Sequence, residues 1–559
     1  MKIWINNKEY EAEPGESVLE VAIRNKINIP HFCYHEDLPV GASCRTCLVE
    51  IKDTGKIVTS CTLKAENGLK VSSETEKVKR LRLKNIELLL ANHYKNCPKC
   101  QQGLFCPVAK EAKEYSASMT KYDNPEKKSE VHNIGGAIEF DPRLCIACNK
   151  CVAVCKKLGI GILEMKGKNI DNHATINQDR NIDCIYCGQC TVHCPVGAIR
   201  EKSEIESVER ALNDDNKIVI AQMAPSVRAS IGEEFGLPVG TDLTGQIYTA
   251  FRKLGFDKVF DVNMGADITT IIEAEELIER IHNNKNLPMF TSCCPAWVKF
   301  VEFYHPEIID NLTTARSPQI HAGAAYKTWW AKKEGIDPKN IVVVSFMPCT
   351  SKKYEAHSEK FKVDGLSPVD YVLTTREFAT LLRKQSINIS NLESSEVDTP
   401  GTFSGAGVIF GASGGVMESA LRTAYNKMTG KDLNKLEFEE IRGIEGIKKA
   451  SIKIGEKTLN VAVVSTMKNA KKIIKEMNKY DYIEVMACPG GCIGGGGQPI
   501  PTTLRITKKR AKALYSIDSK MKMRKAHENP IVKDFFDNLP DSDREKILYT
   551  TYSRKNKFE

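Results

Sequence analysis

The sequence predicts a multidomain chain, α+β in its first third and α/β beyond. Three observations predict this. At 559 residues the chain is too long for one core and long enough for three to five domains. Fifteen of its 20 cysteines fall before residue 195, in closely spaced groups. From about Lys217, apolar runs of strand length alternate with amphipathic helical ones, which argues for an α/β domain with largely parallel sheets.

Composition narrows the class. The opening MKIWINNKEYEAEPGES has no apolar signal core, and no run of about 18 apolar residues could span a membrane. Tight C-x-x-C spacings in a reducing compartment favour metal over disulfide, so a soluble cytoplasmic metalloprotein is expected. The net charge of +9 is modest for this length. A basic cluster (Lys508, Lys509, Arg510, Lys512, Lys520, Lys522, Arg524, Lys525) reads first as a solvated helix face and second as a landing site for an acidic protein. Nucleic-acid binding has no other support.

Residues 1–78 open as strand, turn, strand, helix. They carry Cys33, Cys44, Cys47 and Cys61, with ten, two and thirteen residues between them. This set suits a 2Fe-2S cluster or structural zinc, and the spacing is not that of plant ferredoxins. His31 and His35 read as structural or surface residues. Residues 79–130 read as a helix, a compact knuckle and a polar linker. The knuckle is His93-x3-Cys97-x2-Cys100-x5-Cys106, whose ligands suit zinc or a 4Fe-4S cluster equally by spacing. Residues 131–209 contain an internal repeat, C-x2-C-x2-C-x3-C twice: Cys145, Cys148, Cys151, Cys155, then Cys184, Cys187, Cys190, Cys194. This is the bacterial two-cluster ferredoxin pattern, in which the fourth cysteine of each run serves the other cluster. One 4Fe-4S cluster then takes Cys145, Cys148, Cys151 and Cys194, and the other takes Cys184, Cys187, Cys190 and Cys155. Lys156, rather than proline, follows the first run.

Residues 210–559 form the α/β part. KIVIAQ, DKVFDV, LPMFT, IVVVSFM, LNVAVVST and YIEVMA are strand candidates. TGQIYTAFRKLGF, ADITTIIEAEELIERIHNN and GGVMESALRTAYNKM read as helices. Three of the strands run into cysteine segments: TSCCPAW (291–297), MPCTSKKYE (347–355) and EVMACPGGCIGGGGQP (484–499). Ligands bind beyond the carboxyl ends of the strands in open α/β sheets, so the three segments are expected to meet around one soft-metal centre. The run 494–497 permits positive φ and a close backbone approach. The five cysteines here and the fifteen upstream leave none over for a structural disulfide. The helical, charged tail from about Thr502 has no role by sequence.

The segments TSCCP, MPCxxKxxE and ExMxCxxGCxxGGGQP, in that order, resemble the signature motifs of the iron-iron hydrogenases. The N-terminal cysteine groups resemble the same family's relay, and residues 1–78 are also similar to the 2Fe-2S domain of the NADH-oxidising respiratory complex. The resemblance implies a β-grasp 2Fe-2S domain, a 4Fe-4S knuckle of one histidine and three cysteines, a two-cluster ferredoxin domain and a two-lobed α/β catalytic domain. It implies one 2Fe-2S cluster and three 4Fe-4S clusters in the relay. At the centre it implies an H-cluster, a 4Fe-4S cluster joined through one cysteine sulfur to a two-iron subsite with CO, cyanide and a dithiolate bridge.

It further implies that Cys294, Cys349, Cys488 and Cys492 hold the 4Fe-4S part, with Cys492 bridging to the subsite. Cys293 is then unligated: a proton relay by resemblance, buried packing otherwise. Lys352 would donate to a cyanide, with Lys353 beside it the exposed lysine. Met347 and Met486 would line the pocket, and Pro225 and Ser226 would contact cyanide. Glu273, Glu276 and Arg280, on one helical face, match the family's proton path from Cys293, though surface Glu–Arg pairing gives the same pattern. Thr313 falls where the family commonly has serine, and keeps the hydroxyl with an added methyl. The implied reaction is reversible reduction of two protons to H2 in a monomer, with ferredoxin or flavodoxin as electron partner and maturation proteins inserting the subsite. The alternatives are a hydrogen sensor, a subunit of an NADH-coupled complex, or a non-catalytic hydrogenase-like protein of iron–sulfur assembly. Intact Cys293, Lys352 and GGGGQP argue against the last. No sensory module or nucleotide fingerprint supports the others.

Overall fold

The computed structural model describes residues 1–91, 93, 106–118, 120–122, 130–168, 172–433, 436–454 and 457–559. At the N-terminus, five strands form one sheet in the order Lys8–Glu11, Lys2–Ile5, Lys70–Ser72, Leu48–Ile51, Ile57–Thr59. Lys2–Ile5 and Lys70–Ser72 run parallel and the other neighbours antiparallel. The helix Val18–Arg24 starts at a Ser17/Glu20 capping box and buries Val18, Leu19, Val21 and Ala22 against Ile3, Ile5, Val49 and Val71. The helix Glu76–Ala91 is tied to this domain by buried Arg82, which donates to the carbonyls of Thr46 and Leu48, each at 2.9 Å.

The ferredoxin-like region has a three-stranded antiparallel sheet (Ile199–Glu201, Ile138–Phe140, His132–Ile134) and a hairpin of Leu163–Lys166 with His173–Ile176. The internal repeat is visible in the backbone. Ala147 and Asn149 in the first cysteine loop, and Tyr186 and Gly188 in the second, take positive φ at matching positions (53° and 66°, 56° and 70°). Each loop then enters a short helix, Lys150–Lys157 or Gln189–His193.

The C-terminal part is built on two four-stranded sheets. One is wholly parallel, in the order Lys258–Asp261, Ile218–Met223, Ile341–Met347, Tyr371–Thr374. The other is Met289–Phe290, Tyr482–Met486, Lys457–Ser465, Ile447–Ile454, with only the last strand antiparallel. All six strands read from the sequence are present; Tyr371–Thr374 and Ile447–Ile454 are additional. The long helix Val262–Asn283, capped by Asp261 on the Asn263 N–H, packs on the helices Pro318–Ala325 and Gly415–Thr429.

The tail is integral to this domain. Its first helix, Leu504–Lys520, buries Thr507, Arg510, Ala511, Leu514 and Asp518. Arg510 makes a two-pronged pair with Glu233 at 2.7 Å per arm, and Asp518 pairs with buried Arg422 at 2.9 Å. Lys508, Lys509, Lys512, Lys520 and Lys522 are exposed, as expected of a solvated face, whereas Arg510, Arg524 and Lys525 are held by acids. The start of this helix also meets the N-terminal domain. His35 Nε2 lies 3.2 Å from the Thr502 carbonyl, and the Leu504 N–H donates to Asp37 at 2.8 Å. Among the described residues no helix is long and apolar enough to cross a membrane.

Candidate active site

The three cysteine segments meet as the strand pattern requires. Ile341–Met347 ends the parallel sheet at Cys349, while Met289–Phe290 and Tyr482–Met486 end the mixed sheet at Cys293, Cys294 and Cys488. Between the two sets of carboxyl ends lies a cavity with about 730 Å³ of empty space, open solvent included. Its walls include Cys293, Cys294, Cys349, Cys488 and Cys492, together with Pro225, Ser226, Met347, Met486 and Lys352. Every residue assigned to this centre from sequence therefore lines one space.

The glycine run makes the close approach expected of it, but without positive φ. Positive φ falls at Gly490 (76°) and Gly491 (97°), which turn the chain between Cys488 and Cys492. The run 494–497 is set by crowding. A Cβ on Gly495 would sit 2.3 Å from the Pro348 carbonyl oxygen, and one on Gly496 would sit 2.4 Å from the Gly188 backbone. The glycine wall is thus pressed against the second ferredoxin loop. Gln189 Nε2 donates to the Gly494 carbonyl at 2.7 Å and Thr191 Oγ1 to that of Gly496 at 2.8 Å. Beside the glycine run, Thr350 Oγ1 donates to the Tyr186 carbonyl at 2.7 Å.

The site fits a large, electron-rich metal group. Burial raises the thiols of Cys294, Cys349, Cys488 and Cys492, that of Cys349 to about 12, so thiolates here require metal charge to balance them. The buried Ser226 Oγ and Gln319 Oε1, both at the cavity, have no protein partner. Gln319 was not singled out by sequence; only its unsatisfied oxygen reveals it. Lys352 Nζ donates to Glu355 at 2.8 Å and to the Cys293 carbonyl at 3.1 Å, holding its charge at the cavity wall. The expectation for Lys353 is corrected: it is wholly buried and paired with Glu377 at 3.0 Å, because the helix Ser351–Ala356 turns it inward.

The acids of the long helix lie behind Cys293. Glu273 is fully buried; burial raises its carboxyl to about 8, against a hydrogen bond from Tyr482 that lowers it. Glu276 accepts from Thr313 Oγ1 at 2.6 Å and from Arg280 at 2.5 Å. The Glu276–Arg280 pairing is real but mostly buried, with side chains 13% and 10% exposed. Thr314, unremarked in the sequence, also donates to Glu276 at 3.1 Å. Burial raises the Cys293 thiol strongly, and the Glu273 charge raises it further.

Upstream, one cavity is lined by Cys155, Cys184, Cys187 and Cys190, and another by Cys145, Cys148, Cys151 and Cys194, the crossed sets read from the repeat. In the N-terminal domain Cys33 neighbours Cys44 and Cys47 neighbours Cys61, all four buried. Of the knuckle, His93 and Cys106 are buried, with His93 Nδ1 2.9 Å from the Leu144 carbonyl; Cys97 and Cys100 lie outside the described residues. His35, read as structural or surface, packs against buried His193 with the rings tilted and their centres 4.5 Å apart.

Cysteine-lined cavities leading to a buried terminal cavity with an acid chain behind it define an iron–sulfur redox enzyme. Residues 217–496 match the C-terminal domain of the iron only hydrogenase large subunit. A 2Fe-2S iron-sulfur cluster binding domain matches 1–76, a 4Fe-4S dicluster domain 144–198, and the iron hydrogenase small subunit 504–555. The last match supplies the identity that the tail lacked by sequence. Iron hydrogenase 1 of Clostridium pasteurianum is 41% identical over 99% of this chain and 100% of its own. The NADP-reducing hydrogenase subunit HndD of Solidesulfovibrio fructosivorans is 38% identical over 100% and 99%. A structure of apo FeFe hydrogenase HydA1 from Chlamydomonas reinhardtii superposes with a TM-score of 0.57 and 39% identity, covering 63% of this chain and 99% of that one. The chain belongs to the iron-only hydrogenases. It is an enzyme of reversible hydrogen chemistry, interconverting two protons and two electrons with H2, with ferredoxin-type electron exchange.

Proposed function

We propose that the cavity holds an H-cluster on Cys294, Cys349, Cys488 and Cys492, with Cys492 the bridging ligand, and that Cys293 is its proton partner. The observation that carries this reading is the cavity itself, which gathers these residues with Lys352, Met347, Met486, Pro225 and Ser226 from separate segments of the chain. When bound, such a cluster supplies the electron pair chemistry of hydrogen, and the protein supplies orientation, charge and routes. Lys352 and Ser226 offer donors to its polar ligands. Met347 and Met486 pack against it with soft, adaptable side chains. Cys293, Glu273, Glu276 and Thr313 carry protons outward, and Arg280 orients Glu276 near the protein surface.

Cys33, Cys44, Cys47 and Cys61 would hold a 2Fe-2S cluster, His93, Cys97, Cys100 and Cys106 a 4Fe-4S cluster, and the two crossed cysteine sets two further 4Fe-4S clusters, which together would supply one-electron exchange with this centre. The cluster of Cys184, Cys187, Cys190 and Cys155 is the last of these, which the contacts of 186–191 with 350 and 494–496 support. Ferredoxin or flavodoxin donates the electrons, dedicated maturation proteins insert the two-iron subsite, and the enzyme works as a cytoplasmic monomer. The test is H2 evolution from reduced methyl viologen by anaerobic protein with the subsite inserted. Rapid evolution supports the reading. Absence of evolution with the subsite in place points to a sensor or assembly protein. A second reading, a subunit of a nucleotide-coupled complex, is favoured by the full-length similarity to the NADP-reducing hydrogenase subunit. Co-purifying flavoprotein subunits would decide for it.

A further inference from the structure

The mixed sheet does more than deliver Cys488. At the other end of the same strand stands Tyr482, wholly buried, whose hydroxyl donates to Glu273 Oε1 at 2.8 Å. The other oxygen of that carboxyl, Oε2, is buried with no hydrogen-bond partner. The charged and titratable groups around the carboxyl are Tyr482, Glu276, Glu484, Arg280 and Cys293.

We propose that Tyr482 is a positioning residue of the proton route: it occupies Oε1, so that Glu273 carries its proton on Oε2 alone. The inference rests on the reading of Glu273 as a relay between Cys293 and Glu276. A phenol hydrogen on Oε1 makes that oxygen the carbonyl end of the protonated acid. The acid hydrogen then sits on Oε2. It is taken up there from the Cys293 side, turns about the Cδ–Oε2 bond, and leaves toward Glu276; because Oε2 has no partner within hydrogen-bond reach, each exchange needs a side-chain shift or an intervening water. The same bond steadies the charged form, since a hydrogen bond to a carboxylate is worth more than one to a neutral group. Tyr482 thereby offsets part of the burial that would otherwise lock the proton in place. No bond to the phenol oxygen breaks in either step.

The test is Tyr482→Phe, read by infrared difference spectroscopy on protein carrying its iron–sulfur clusters, with and without the two-iron subsite. The carboxylic C=O band of Glu273 is identified as the one lost in Glu273→Gln. In Tyr482→Phe this band is expected to move to higher frequency, because its carbonyl oxygen has lost a donor. The pH midpoint of turnover is expected to rise by about one unit, with about a tenfold loss of rate near neutrality. An unmoved band together with a superimposable pH profile would overturn the proposal. If Tyr482→Phe fails to assemble its clusters, fluorotyrosine at 482, a stronger donor, should move the band to lower frequency, and no movement there overturns the proposal. Full turnover in Glu273→Gln would overturn the proton route itself whatever the band does, so the two failures are told apart.

Discussion

Thr313 Oγ1 donates to Glu276 Oε2 at 2.6 Å, while the other oxygen of that carboxylate takes the Arg280 guanidinium. The added methyl of threonine therefore leaves the hydroxyl in contact with the acid. Thr313→Val keeps the shape and removes the hydroxyl, leaving a buried acceptor short of a donor. Its turnover should fall about tenfold or more, and Thr313→Ser should match the parent. Equal H2 evolution rates in the valine and serine variants would remove the hydroxyl from the route.

Cys293→Ala should abolish turnover while the cluster ligands hold their iron. Iron content and paramagnetic resonance spectra equal to those of the parent, with no H2 formed, is the expected pair of results. Turnover at the parental rate contradicts the relay role.

Burial carries the Glu273 carboxyl from its ordinary 4.5 to about 8. The folded chain then keeps a proton that the unfolded chain has lost between about pH 4.5 and pH 8, so this group's contribution to stability falls as pH rises across that window. Glu273→Gln, which never ionises, should gain in melting temperature over the parent as pH is raised from about 5 to about 8.5. A gap between the two proteins that does not change with pH would show that Glu273 titrates normally.

Gly496→Ala forces a methyl to within 2.4 Å of the Gly188 backbone. The strain should cost about 1–3 kcal/mol and part the ferredoxin loop from the cavity wall. H2 formed per assembled site should drop while the relay clusters keep their parental spectra. Unchanged turnover and melting temperature would show that the contact is slack.

Arg510→Ala leaves the largely covered Glu233 against an absent partner and removes a donor from the Ile493 carbonyl. Losing one member of such a pair typically costs about 3–5 kcal/mol. Limited proteolysis should cleave the tail of this variant well before that of the parent. Equal cleavage rates would mean that the helix Leu504–Lys520 is held by its apolar face alone.

The metal chemistry was legible because thiol spacing is a local property: both crossed cavities and the central one gather the cysteines that the motifs nominate. Strand and helix patterning likewise located six of the strands of the catalytic part. What escaped depends on contacts between distant segments. Lys352 and Lys353 are adjacent and chemically alike, and only the turn of the helix Ser351–Ala356 decides which is engulfed. Tyr482 reads as one more strand aromatic until Glu273, 209 residues away, is placed against it. Arg510 sits among lysines that face water, and its burial depends on Glu233 from a separate segment. The glycine run was correctly taken as a site of close approach, but the partner is Gly188 of the relay, which no local pattern near residue 496 discloses.

The contact of His35 with the Thr502 carbonyl spans 467 residues. A ribosome releases the 2Fe-2S domain well before the helix that it docks on. Domains fold as units and in order of synthesis, so the N-terminal domain is complete long before that helix exists. The 2Fe-2S domain is therefore made well before this part of its seat, and a nascent chain stalled ahead of the helix Leu504–Lys520 would hold it by its contacts with the ferredoxin-like region alone.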